Sequence, residues 1–276
     1  MKTTTTELPY IHGFSEAEQQ RLLKQARFIE DKIYTGLDLP NTGQVLEVGC
    51  GVGAQSEILL RRFPNIRLTG IDMNPHQLSA ASSHLATVPW AKNRYQLQQM
   101  DAGAMSYPAQ QFDAAFLCWV LEHVPSPAQV LAEVKRVLKP GGVISITEVM
   151  NASFFLAPEA PNLVQYWQAF NDYQRESAGD PFVGAKLGNL LLALGYENIH
   201  TELQGWHLDN RHPGQRREMI AYWTELLLSA ADQLIAAGKL TANVVVAMKQ
   251  ELLSAQHNPD AVFIYSFVQA SARVPR

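Results

Sequence analysis

The chain has only two cysteines, Cys50 and Cys118, in 276 residues. That excludes a disulfide framework and a cysteine-rich metal cluster, and a reduced pair in a cytoplasmic protein is the expectation. No apolar run reaches the roughly 18 residues that a membrane helix needs, so membrane insertion is not expected. Met1–Tyr10 lacks the apolar stretch of a secretory signal. Excess charge of one sign is missing too. Lys and Arg total 22 against 26 Asp and Glu, a net charge of −4, which offers no broad basic surface and makes nucleic acid an unexpected partner. There is no internal repeat, and the one biased stretch is Thr3–Thr6. Apolar residues, in contrast, make up 47%. They supply a substantial core, for one large domain or a domain with a cap.

The most informative run is Val45-Leu46-Glu47-Val48-Gly49-Cys50-Gly51-Val52-Gly53. Its apolar residues suit a strand buried in a parallel sheet. The glycines permit a sharp turn and let a ligand approach where a Cβ would stand. A helix predicted from about Gln55 presents unpaired N–H groups at its start. Such a turn cradles part of a nucleotide-like ligand. Gly49-x-Gly51-x-x-Ala54 also fits a dinucleotide fingerprint, so a nicotinamide-dependent oxidoreductase is one reading. Glu47 and Gly53 oppose it. An acid two residues before the first glycine suits a ligand with a cationic amine better than a pyrophosphate.

The following segments alternate strand and helix. Ile66–Asp72 reads as a second strand ending in an acid, which suits a ribose diol. A third strand near Tyr95–Met100 ends in Asp101-Ala102, where an acid can accept from an adenine amino group. A fourth, Phe112–Cys118, leads into Trp119-Val120-Leu121-Glu122-His123-Val124. Ala128–Leu138 reads as a helix, and Lys139-Pro140-Gly141-Gly142 leads into Val143–Glu148. Asn74-Pro75 and Ser126-Pro127 each place a capping residue before a proline at the first helical position. Ser15-Glu16-Ala17-Glu18 is a capping box opening a helix expected over Glu16 to about Tyr34.

The ordered set VLEVGCGVG, GIDMN, MDA, FDAAFLCWVLEHV and LKPGGVISITE, over roughly residues 41 to 150, resembles the class I S-adenosylmethionine-dependent methyltransferases. The nearest flavour is the small-molecule branch with ubiquinone and menaquinone methyltransferases. The resemblance implies an α/β fold: a doubly wound, Rossmann-like seven-stranded sheet whose last strand is antiparallel. It implies S-adenosylmethionine as cofactor and a small-molecule methyl acceptor as partner. By resemblance, Glu47 orients the methionine end of the ligand, directly or by fixing the loop of Gly49, Gly51 and Gly53. Asp72 holds the ribose, Met73 covers the adenine face, Asp101 and Ala102 read its edge, and Cys118, Trp119 and His123 complete the cofactor wall.

The divisions expected are residues 1–40, an N-terminal helix or lid; 41–150, the cofactor-binding core; 151–183, a helical insertion; 184–204, a return to the core; 205–260, a helical cap; and 261–276, the last core strand. Glu197–Leu203 and Val262–Val268 would supply the antiparallel hairpin, with Gly184–Leu194, Arg216–Ala237 and Ala242–Ser254 as helices. The connection within the hairpin is long enough to suggest a function.

His123 is the leading candidate for a general base; the alternative is a residue that holds its loop. Glu122 is either solvated or structural. Glu148, read as facing the pocket mouth, is a second acid worth testing. Tyr10 and His12 would belong to a lid, Tyr10 bonding the cofactor carboxylate. His207 either lines the acceptor site or lies on the surface. Tyr166, Trp167, Phe170 and Tyr173, with Tyr222 and Trp223, are either plain core or the wall of a site for an apolar or aromatic acceptor. No acidic cluster follows the fourth strand, and no metal is expected. Two further readings stay open: a non-catalytic S-adenosylmethionine-binding regulatory or interaction protein, and a protein methyltransferase.

Overall fold

The computed structural model describes residues 11–37 and 39–276. The chain opens with helices α1 (Glu16–Phe28) and α2 (Glu30–Tyr34). An alternating series follows: β1 (Thr42–Val48), α3 (Ala54–Arg62), β2 (Asn65–Asp72), α4 (Pro75–Ala86), β3 (Tyr95–Gln99), β4 (Phe112–Cys118), α5 (Pro127–Val137) and β5 (Leu138–Val149). Next come β6 (Phe155–Ala157), α6 (Pro161–Glu176), α7 (Leu187–Ala193), β7 (Glu197–Leu208), α8 (Pro213–Ala236), α9 (Ala242–His257) and β8 (Val262–Arg273).

The strands form one sheet in the order β3-β2-β1-β4-β5-β8-β6, with β7 also paired to β8. The first five in this order run parallel, and β8 is antiparallel to β5 and to β7. The sheet has eight strands where seven were expected. The extra one, β6, lies in the stretch read as a helical insertion and pairs Phe155–Ala157 with Ile264–Val262. It covers the edge of β8 beyond the end of β5, an edge that would otherwise leave backbone groups unpaired.

Alternation along the central strands explains the layering. Val45, Ala114 and Phe116 face one apolar cluster with Ile58, Leu59 and Phe267. Leu46, Val48, Ala115 and Leu117 face the other, with Leu131, Val134 and Leu187. The helix expected over Glu16–Tyr34 is two, joined at Ile29, a residue buried with Ile33 and Tyr34. Ser15 caps α1 as expected, accepting from the Glu18 N–H at 3.2 Å. The Glu18 carboxylate takes a two-pronged grip from Arg21, at 2.6 and 2.7 Å.

Helices α6, α8 and α9 pack on one another. α6 has no capping side chain of its own; Glu251 of α9 accepts from the Asn162 and Leu163 N–H groups at 3.1 and 2.8 Å. The Tyr166 hydroxyl donates to the Leu227 carbonyl of α8. Arg216, almost wholly buried, donates to the Ala261 and Asn258 carbonyls at 2.8 and 2.7 Å. These bonds fix the helices inserted between β7 and β8 to the start of β8.

Candidate active site

A cavity of about 340 Å³ opens at the carboxyl ends of β1, β2 and β4, where ligands enter open α/β sheets. Gly49, Cys50, Gly51 and Val52 form its floor. Gly49 and Gly51 have φ of +68° and +50°, backbone that L side chains rarely adopt. A Cβ on Gly49 would come within 2.6 Å of Val120, whereas one on Gly51 would meet nothing within 4 Å. The space over Gly51 is therefore the cradle in which a ligand can approach backbone. Gly53 stands outside the lining, as the residue before α3.

Asp72 lies at the end of β2 and lines the cavity. Its Oδ2 accepts from the Gly51 N–H and its Oδ1 from the Asn74 N–H, both at 2.9 Å. Burial raises its pKa, and the backbone donors oppose the rise. Asn74 takes the cap of α4, accepting from the His76 and Gln77 N–H groups at 2.8 and 3.3 Å. Asp72 therefore couples the glycine turn to the cavity wall. Met73, Met100, Asp101 and Ala102 continue that wall, and Asp101 is steadied by the Gly103 N–H at 2.8 Å.

Two sequence candidates, Glu47 and Glu148, do not line the cavity. Glu47 is 2% exposed and does not line the cavity. Its carboxyl accepts from the Ser56 hydroxyl of α3, clamping the helix to the strand beneath the glycine turn. Burial pushes it up to about 8. Glu148 was read at the pocket mouth, and the structure corrects this. It is fully buried behind the loop that follows β4, because its Oε1 accepts from the Val120 and Leu121 N–H groups at 2.9 and 2.7 Å. Burial and the charge of Glu122 push Glu148 up to about 8. Tyr10 lies outside the described residues.

Cys118, Trp119 and His123 line the cavity, as does Glu122. Burial and the acids Glu148, Glu47 and Glu122 push the Cys118 thiol up. Trp119 has φ of +55°, and its backbone N–H donates to the Thr147 carbonyl at 2.9 Å. His123 Nε2 stands 3.6 Å from Glu122 Oε1. His12 also reaches the cavity, its Nδ1 2.7 Å from the Ser229 hydroxyl of α8. Burial first, then Arg21 and His123, holds His12 well below the usual histidine range.

Much of the remaining lining is aromatic. Trp167, Phe170, Tyr222, Trp223 and Tyr265 contribute to it, with Trp206 of β7. Trp167 and Phe170 stack at 5.3 Å, and Trp223 meets Tyr265 at 4.7 Å. Tyr166 is fully buried and Tyr173 stays outside the lining, while His207 is exposed. The expected aromatic series thus divides between core and cavity.

Sequence reasoning missed Arg21, Asn151 and Tyr265. Arg21 lines the cavity with its charge shared with Glu18, and it bonds the Tyr222 hydroxyl. The spacing of Glu18 and Arg21 was a readable helical pair. Asn151 accepts from the Tyr265 hydroxyl at 3.0 Å and donates to Asn171 at 2.8 Å; no sequence signal joins positions that far apart. Among the described residues, no group of three or more His, Cys, Asp and Glu could hold a metal ion, and no helix is long and apolar enough to cross a membrane.

Residues 46–146 match the family model described as a methyltransferase domain. The 2-methyl-6-phytyl-1,4-hydroquinone methyltransferase of a Synechocystis species is 34% identical over 130 residues, 44% of this chain and 39% of that protein. The S-adenosyl-L-methionine-dependent Diels-Alderase iccD of Talaromyces variabilis is 35% identical over 129 residues, 46% of this chain and 43% of that protein. The chain thus spans less than half the length of these curated relatives. In fold it is similar to Haemonchus contortus phosphoethanolamine N-methyltransferase 2, solved with S-adenosyl-L-methionine. That similarity has a TM-score of 0.56 at 17% identity, covering 92% of this chain and 53% of that one.

Proposed function

We propose, from the premise that residues 46–146 are an S-adenosylmethionine-dependent methyltransferase domain, that the protein transfers a methyl group to a small, apolar or aromatic acceptor. One observation carries this reading. A single cavity is lined both by Gly51, Asp72 and Asp101 and by aromatic residues of α6, α8 and β8. The residues fit the cofactor: the cradle over Gly51 admits a close-lying ligand, Asp72 keeps acceptor capacity for a diol beyond its backbone donors Gly51, Asn74 and Met73, and Met73 and Met100 offer apolar cover beside Asp101 and Ala102. Glu47 acts indirectly, by clamping α3. Bound there, the cofactor supplies an electrophilic methyl group on a sulfonium.

The chain's own work is then alignment, exclusion of water and proton handling. The aromatic wall and the N-terminal residues His12 and Phe14 surround the acceptor. His123 takes the proton that an O–H or N–H acceptor must lose. Trp119 and Val120 line the cavity, with their backbone set by Thr147 and by Glu148.

Calorimetry with S-adenosylmethionine, S-adenosylhomocysteine and NADH tests the cofactor. The expected result is binding of both adenosyl ligands and none of NADH; binding of NADH alone would overturn the reading. Label transfer from methyl-labelled cofactor to a panel of hydroquinones, phenols and aromatic amines then tests the acceptor. The likeness to the Diels-Alderase over the shared 129 residues, together with an apolar cavity, favours one second reading: a cyclase in which the cofactor is bound and kept. Product isomerisation without label transfer would select it.

A further inference from the structure

Beside the loop that follows β4, the cap helix α6 ends in a hydrogen-bond arrangement that packing does not require. Gln174, 3% exposed, donates from Nε2 to Glu122 Oε2 at 2.8 Å and to the Glu122 carbonyl at 3.2 Å. The Asp180 N–H donates to the same carbonyl at 2.9 Å. Gly179 packs so closely that a Cβ there would collide with that carbonyl oxygen and with Gln174. Yet Gln174 Oε1 is buried without a hydrogen-bond partner among the described residues. A methionine of similar length would fill the space without stranding an oxygen, so the amide's position is explained by what it donates to.

Its target is the carboxylate whose other oxygen lies 3.6 Å from His123 Nε2. Glu122 is 7% exposed and close enough to Glu148 that its charge contributes to pushing Glu148 up to about 8. Of these two acids, Glu148 is the one whose carboxyl is pushed up. A base with a neighbouring carboxylate that is itself held by a third group is the arrangement by which proteins fix an imidazole and stabilise its protonated form. The distance of 3.6 Å exceeds a hydrogen bond, and such bonds commonly tighten when the ligand is in place.

We propose that Gln174 is a positioning residue that holds Glu122 as the carboxylate partner of His123, so that the base is assembled by the seating of cap helix α6. The proposal rests on the reading of the cavity as a methyl-transfer site. In the step concerned, the acceptor's O–H or N–H gives its proton to His123 and keeps the electron pair with which it bonds the methyl carbon. The carbon–sulfur bond breaks and its pair stays on sulfur, leaving a neutral thioether. The new imidazolium is balanced by the Glu122 carboxylate. Because Trp167 and Phe170 lie on the same helix and line the cavity, an acceptor bound against them braces the helix that places Gln174.

The test is proton NMR of the histidine ring signals in the free protein and with S-adenosylhomocysteine, with His123 assigned by its loss in His123→Gln. With the ring signals followed over a pH series, the imidazolium-to-imidazole ratio of His123 at any one pH within its observed titration should fall about tenfold in Glu122→Gln, and about threefold or more in Gln174→Met, as loss of a nearby opposite charge predicts. Gln174→Leu, which also removes the donor, should move the ratio in the same direction and serves if Gln174→Met does not fold. Equal ratios in the wild type and in a folded variant at position 174 would overturn the proposal. Failure of the wild type to bind S-adenosylhomocysteine would instead sink the methyl-transfer reading, so the two failures are distinguishable.

Discussion

The space over Gly51 makes a sharp prediction for Gly51→Ala. With φ of +50° and nothing within 4 Å of an added Cβ, the folded chain meets no collision. It meets only the backbone cost of an L residue in this conformation, about 1–2 kcal/mol. For a chain of this size, each kcal/mol lowers the melting temperature by roughly 2–4 °C, so a fall of roughly 2–8 °C is expected and the protein stays folded at 25 °C. The new methyl group stands where a ligand must approach backbone. Forcing a methyl into a close contact costs about 1–3 kcal/mol, or roughly five- to 150-fold in affinity. Gly53→Ala is the control. Its φ of +76° imposes a similar backbone cost, but its Cβ would lie against Ala81 and Leu85 at 3.2 and 3.3 Å, away from the cavity. Thermal melts and calorimetry with S-adenosylhomocysteine measure both quantities. Both variants should lose stability, and only Gly51→Ala should also lose affinity strongly. Wild-type affinity in Gly51→Ala, or equal loss in the two, would refute the cradle.

Asp72→Ala removes the acceptor of the Gly51 and Asn74 N–H groups and should abolish measurable cofactor binding while circular dichroism shows a folded protein; unchanged affinity would remove Asp72 from the site. Stability should fall as pH rises from about 4.5 to 8. Glu47 and Glu148 both have folded-state values of about 8 against an ordinary 4.5, so across that window the folded state keeps protons that the unfolded state releases, at about 1.4 kcal/mol per pH unit for each group. Denaturant midpoints at pH 5 and 8 should show a smaller drop for Glu47→Gln or Glu148→Gln than for wild type, and an unchanged slope in both variants would refute the assignment. Trp167→Ala opens the aromatic wall without touching the glycine turn. Its affinity for S-adenosylhomocysteine should stay within about threefold, whereas turnover of any acceptor found by label transfer should fall at least tenfold. Equal effects on both would argue that the cofactor and acceptor regions of the cavity are not separate.

The residues of the glycine turn and the end of β2 were legible because their signals are local. A strand, a glycine turn and a helix start must be consecutive to form the cradle, so Gly49, Gly51 and Asp72 fall where the motifs put them. Caps were equally readable: Ser15, Asn74 and Ser126 each accept from the N–H of their own first turn. Burial was harder to read. Glu148 lies at the end of the apolar strand β5, but the loop after β4 folds over it and takes its Oε1 for backbone N–H groups. Strand β6 escaped notice because three residues show no usable periodicity.

The sequence by itself determined the alternating α/β core, its glycine turn and the acids at the ends of β1, β2 and β3, since each depends on neighbours in the chain. Only the tertiary structure decided which side chains share the cavity. It brought Arg21 from α1, Asn151 from beyond β5 and Tyr265 from β8 to one space, and it set Gln174 against Glu122 across 52 residues. Contacts of that range are chosen by the packing of whole helices against the sheet, which no short window of sequence encodes.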